Sequence, residues 1–303
     1  MTTYENIPEA NEPSRHSTSQ RYPVDASCFE DAKTRSAAEG LLGETLRLLG
    51  ILRFDLEALD GATLARDCRA TAIAIQKPPD PSCVPEHGVG VPNTFELGRT
   101  IAVRRGNELR FHIVLYFEIG EMLLSDDEQR RALAMACIAH ELAHVQHEGR
   151  FYRKFPHLFE GPLECGERKR SIFIRSMDVW SEYAACRSSA AFRPEALEEH
   201  QLLLKGGVAK YLATEHTAPI EEREAVAVET LLCAGYLLGE VDGLDLEIEL
   251  TARESVPVIH DWIKVSSAFD RLKRILRELW DTEEYWTSIE VFAPIYELAI
   301  ELR

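Results

Sequence analysis

The chain contains no apolar run approaching the ~20 residues that a membrane-spanning helix requires, which argues against an integral membrane protein. Its first 27 residues are polar and lack the apolar segment of a secretory signal, so a disordered tail is expected over 1–27. Cationic charge is scarce: 34 Lys and Arg stand against 51 Asp and Glu, for a net charge of −17. No broad basic surface can form, and nucleic acid is therefore excluded as a partner held by its phosphates. The one basic cluster, Arg168-Lys169-Arg170, reads as a solvated stretch. The seven cysteines (28, 68, 83, 137, 165, 186 and 233) are odd in number, scattered and without a CxxC pair. That excludes a cysteine zinc finger and argues against a disulfide framework, and a reducing, cytoplasmic setting is the expectation. Neither GxGxxG, a P-loop, an EF-hand ligand series nor an internal repeat is present.

What the chain does have is His140-Glu141-Leu142-Ala143-His144. Residues four apart share one face of a helix, so both imidazoles can reach one metal ion with Glu141 beside it to activate a bound water. The surroundings favour a helix on independent grounds. Ser125 reads as an N-cap with Glu128 reaching back, and residues 129–148 contain neither Pro nor Gly. Gly149 reads as the stop. Ala132, Met135, Ala139, Leu142 and Val145 form an apolar stripe beside a second stripe of Leu133, Cys137, His140 and His144. The histidines thus face a half-buried wall.

A zinc hydrolase needs a third protein ligand and an open position for water. The metzincin pattern is excluded, because His147 stands where its glycine should be and Arg150 where its third histidine should be. His147 and Glu148 lie one turn further along the same helix, where a straight helix cannot easily wrap a third ligand round the ion. A carboxylate from the next helical stretch, residues 176–189, fits better, and Glu182 fits best. Asp178, one turn earlier, is a candidate acceptor for a ligand imidazole N–H or the ligand itself. The small residues Ala184, Ala185 and Cys186 would let this helix approach the first closely.

HExxH followed by a helix carrying a third Glu resembles the gluzincin metallopeptidases. His-Glu-Leu-Ala-His together with Trp-Ser-Glu-Tyr-Ala-Ala at 180–185 is similar to bacterial proteins of the ImmA/IrrE type, over about residues 95–190. The resemblance implies His140, His144 and Glu182 as ligands of one Zn²⁺ per chain and Glu141 as general base. It also implies a His or Tyr to hold the oxyanion, for which Tyr183, Tyr152, His157 and His112 are candidates. The thermolysin-like branch carries an Asp four residues after its ligand Glu, and this chain has Cys186 there. His₂Glu ligation admits Fe, Mn, Co or Ni as well as Zn.

The expected fold is α+β: a zincin-like core over 28–193, with a small sheet and the active-site helix, then an acidic helical region over 194–303. Residues 31–59 read as one or two helices interrupted by Gly40, Gly43 and Gly50. Asp60-Gly61 reads as a turn, 63–68 as a short helix and 71–75 as a strand. The five-proline stretch 77–92 reads as a loop, and 99–104 with 109–117 as a hairpin. The aromatic- and proline-rich stretch 150–175 is expected to wall the cleft. After Pro194 four helical segments are expected: 194–205, 221–238, 265–280 and 289–302. Residues 221–303 carry 19 acidic against 8 basic side chains, so this region holds most of the negative charge.

The functional expectation is a soluble, intracellular zinc metallopeptidase acting on a peptide or protein. The alternative is a metal-bound or degenerate zincin serving as an interaction module, with the acidic C-terminal region binding a protein partner.

Overall fold

The computed structural model describes residues 22–76, 97–156, 167–214, 217–246 and 259–303. It is a mixed α+β architecture with one four-stranded sheet among the described residues. After a two-residue strand, β1 (Val24–Asp25), Asp31 caps the single helix α1 (Ala32–Leu52) by accepting from the Thr34 N–H at 2.7 Å. Ala38, Leu42, Leu46 and Leu49 make its buried stripe, and the three glycines ride along without breaking it.

The next segment differs from expectation. Residues expected as a turn and short helix form β2 (Leu59–Ala65), and the expected strand is the helix α2 (Cys68–Ile75). Two local causes are visible. Gly61 is needed for close approach: a Cβ there would lie 2.6 Å from the Pro23 carbonyl oxygen. Asp67 caps the Ala70 N–H at 2.8 Å, which starts α2 despite the β-like alternation of Thr71–Ile75.

The hairpin is where the alternation places it. β3 (Gly98–Arg105) and β4 (Glu108–Tyr116) pair antiparallel, and β4 runs parallel to β2, giving the order β1-β2-β4-β3 with β3 at an edge. Phe111, Ile113 and Leu115 enter the main core, while Val114 with Ile101 and Val103 of β3 packs under α2. The period of two therefore puts Thr100 on the face opposite Ile101.

A short helix, α3 (Phe117–Leu123), leads to α4 (Glu128–Lys154). Its N-cap is Asp127, which accepts from Gln129 N–H at 2.9 Å, and Ser125 instead accepts from the Asp127 N–H at 3.1 Å. Gly149 does not stop the helix. It lies inside it, where a Cβ would stand 2.6 Å from Cβ of Ala58. The aromatic- and proline-rich stretch 150–175 is helical at both ends, which belong to α4 and to α5 (Glu167–Ser189). Residues 157–166 and the proline-rich stretch 77–92 lie outside the described residues.

Then come α6 (Ala196–Ala213), α7 (Ile220–Gly243), α8 (Ile259–Asp281) and α9 (Ala293–Leu302). α7 is backed against α5 by glycines at every fourth position. Cβ atoms on Gly239 and Gly243 would stand 2.4 and 2.5 Å from the carbonyl oxygens of Tyr183 and Arg187. On another side of α5, Trp180 packs among Trp280, Trp286 and Phe292, with ring centroids 5.2–6.4 Å away. The C-terminal helices are thus built into the same core as the sheet and α4. Among the described residues, no helix is long and apolar enough to cross a membrane.

Candidate metal centre

The four-residue spacing on α4 sets His140 and His144 one above the other, and α5 brings Glu182 across to them. His140 Nε2 and His144 Nε2 are 3.1 Å apart. Glu182 Oε2 lies 3.2 Å from the first and 3.6 Å from the second. Donors around a tetrahedral zinc, bonded at about 2.0–2.2 Å, stand about 3.4 Å apart, so this triangle has the size that an ion requires. The orphaned carboxylate oxygen gives a second measure of fit. Glu182 Oε2 is buried without a hydrogen-bond partner despite its two imidazole neighbours, as expected of an atom aimed at a cation.

The ring orientations are fixed from behind. His144 Nδ1 meets Ser181 Oγ at 2.8 Å, and His140 Nδ1 meets Cys186 Sγ at 4.0 Å. Ser181, not Asp178, therefore takes the place beside a ligand imidazole. Cys186 stands four residues after Glu182, one turn further along α5. The mouth of the site is at His140 and Glu182, whose side chains are about a quarter exposed (25% and 23%).

Electrostatics bind the three groups together. Burial pulls His140 down, but its contacts with Cys186 and Glu182 outweigh this and hold it up at about 10. Burial opposes charge on His144 too, and the Glu182 carboxylate raises it to about 9. Burial pushes Glu182 up, and the two imidazoles overcome it and hold the carboxyl well below the usual range. The pocket is built to keep a negative Glu182 against positive charge at that point, which a bound cation can supply.

Glu141 faces β3 on the opposite side. Thr100 Oγ1 donates to its Oε2 at 2.8 Å, and a Cβ on Gly98 would lie 2.9 Å from its Oε1. Burial raises the Glu141 pKa, with the neighbouring imidazoles opposing. A carboxylate raised in this way is a better proton acceptor than an exposed one.

Several other sequence candidates stand outside the triangle. His147 turns to Glu283 and Ser188, at 3.2 Å each. Glu148 and Asp178 stay close enough to feel Glu182, and burial first, then their acidic neighbours, pushes each up to about 7. Tyr183 donates to Asp242 at 2.7 Å. His112 lies on the far face of β4, between Asp60 and Thr63. His157 is outside the described residues. Among the described residues Tyr236 of α7 also reaches the triangle, hydrogen-bonded to Glu182, and no motif in the sequence singles it out. A second convergence of donor groups, Cys186, His200 and Glu240, lies behind His140. Comparison with protein-family models, with curated proteins and with solved structures finds no match.

Proposed function

We propose that this chain is a zinc-dependent hydrolase of the zincin type, cleaving peptide bonds in a peptide or protein. The observation that carries the reading is the triangle of His140 Nε2, His144 Nε2 and Glu182 Oε2, with edges of 3.1–3.6 Å, and Glu141 on the next residue of the same helix. Three protein ligands beside a buried carboxylate leave the open position that a catalytic zinc needs for water.

His140, His144 and Glu182 would hold the ion. Bound there, a divalent cation supplies a Lewis acid and brings the pKa of a coordinated water towards ~7. Glu141 accepts the proton of the attacking water, steadied by Thr100, and delivers it to the leaving amine. Ser181 holds the His144 ring in register. Tyr236, hydrogen-bonded to Glu182, would turn its hydroxyl towards an oxyanion. β3 is an edge strand beside Glu141, and its backbone suits an extended substrate that pairs as an added strand.

The test is metal content and turnover together. Wild type is expected to carry metal at this centre and to cleave members of a mixed peptide library, read by mass spectrometry. Glu182→Ala is expected to lose that metal. Metal retained in Glu182→Ala would remove Glu182 as a ligand, and a metal-loaded wild type that cleaves nothing in the library would count against the peptidase reading.

A further inference from the structure

Three helices each contribute one donor to a point behind His140. Cys186 of α5, His200 of α6 and Glu240 of α7 bring a thiol, an imidazole and a carboxylate within 4.8 Å of one another. Cys186 and Glu240 are 2% and 3% exposed. His200 Nδ1 and Glu240 Oε1 are buried and have no hydrogen-bond partner. The other Glu240 oxygen stands 3.8 Å from His200 Nδ1, too far for a hydrogen bond. Leaving a carboxylate and an imidazole buried and unsatisfied in a helical core is costly, and such groups call for a partner.

We propose that Cys186, His200 and Glu240 bind a second zinc ion, which staples α5, α6 and α7 together behind the first centre. The mixed sulfur, nitrogen and oxygen donor set suits zinc, whereas magnesium and calcium favour oxygen alone. Donors around zinc stand about 3.4–3.8 Å apart, so the present spread closes with roughly an ångström of side-chain movement. Burial pushes His200 down to about 4, which leaves its ring neutral with a lone pair to give at neutral pH. Ligation sends the Cys186 thiol proton to solvent. The ion would fix the two helices that carry Glu182 and Tyr236, and it requires no catalysis at the first centre.

Cobalt titration of the metal-stripped full-length chain tests this. Two equivalents are expected, one of them producing the thiolate-to-cobalt absorption of the near ultraviolet. Cys186→Ser should abolish that absorption, and Glu240→Gln should weaken that equivalent by about tenfold or more. Glu240→Gln should keep the other equivalent, and both variants should keep the helical circular dichroism of the wild type. Glu182→Ala should do the reverse, keeping the thiolate band and losing the other equivalent. If the first centre binds nothing, the wild type still shows one equivalent with the band, so failure of the two readings is told apart. A wild type without the band, or a band that survives Cys186→Ser, overturns the proposal. If neither Cys186→Ser nor Glu240→Gln folds, the wild-type band and stoichiometry alone decide.

Discussion

Gly239 of α7 rests directly on the carbonyl oxygen of Tyr183 in α5, so that a Cβ would come within 2.4 Å of it and 2.7 Å of Cβ of Cys186. Both neighbours belong to the helix that carries Glu182, and neither is the far end of a flexible chain. The helices can approach this closely only through glycine, and the approach puts Tyr236 on Glu182.

Gly239→Ala is therefore expected to force α7 off α5 and to destabilise the protein by about 1–3 kcal/mol. Gly206 of α6 is the control, since a Cβ there meets nothing within 4 Å. Gly206→Ala should be neutral or stabilising by up to about 1 kcal/mol. Urea unfolding followed by circular dichroism measures both. Equal effects from the two substitutions would remove the argument for close packing.

Much of the candidate site is legible in the sequence because it rides on one helix. The spacing of His140 and His144 needs only the helical period, and the half-buried stripe of Leu133, Cys137, His140 and His144 already told which face they share. Glu182 follows from the exclusion of nearer candidates and from the small residues after it, and the structure brings it beside His140 and His144. The pieces that escaped depend on tertiary distance. The sequence offers Asp178 as the partner of an imidazole, and only the rotation of α5 about its axis puts Ser181 against His144 instead. Tyr236, His200 and Glu240 lie 50 or more residues beyond the motif and arrive through α6 and α7 packing. The early elements were misread for a different reason. Asp60-Gly61 has turn chemistry, but here Gly61 accommodates the Pro23 carbonyl, while Asp60 binds Arg105 at 2.7 Å and His112 at 2.9 Å. The partners that override the local signal lie tens of residues away.

Ser181→Ala should lower metal affinity at the first centre by about 10–100-fold without abolishing it, because the His144 ring loses the contact that sets its orientation. Asp178→Asn should change affinity far less. Competition with a chromogenic chelator reads both. A larger effect from Asp178 would restore it as the partner of a ligand imidazole.

Glu141→Gln keeps the shape of the side chain, including an oxygen to accept from Thr100, but cannot take a proton. Metal content should match wild type, and peptide turnover should fall by about 10²–10⁴-fold. Mass spectrometry of the protein gives the first quantity and product formation the second. Turnover within a few-fold of wild type would remove Glu141 as the base.

Glu283 ties the C-terminal segment to α4. Its Oε1 meets His147 Nδ1 at 3.2 Å and its Oε2 accepts from Arg150 at 3.1 Å, both from α4. Burial pushes the carboxyl up, but His147 and Arg150 outweigh it and hold its pKa below the usual value. The folded state therefore prefers the charged form. The stability that Glu283 contributes is fully present above its unfolded pKa, about 4.3, and is lost as pH falls through the lower folded value. Glu283→Gln should cost about 1.5–3 kcal/mol at neutral pH, the size of a hydrogen bond to a charged group. The gap between variant and wild type should narrow in acid, once wild-type Glu283 is protonated. Thermal unfolding followed from pH 7 to pH 3 gives the answer. A gap that stays constant across that range would mean that Glu283 acts through packing alone. A gap that closes would assign it the electrostatic hold on α4 inferred from its two partners.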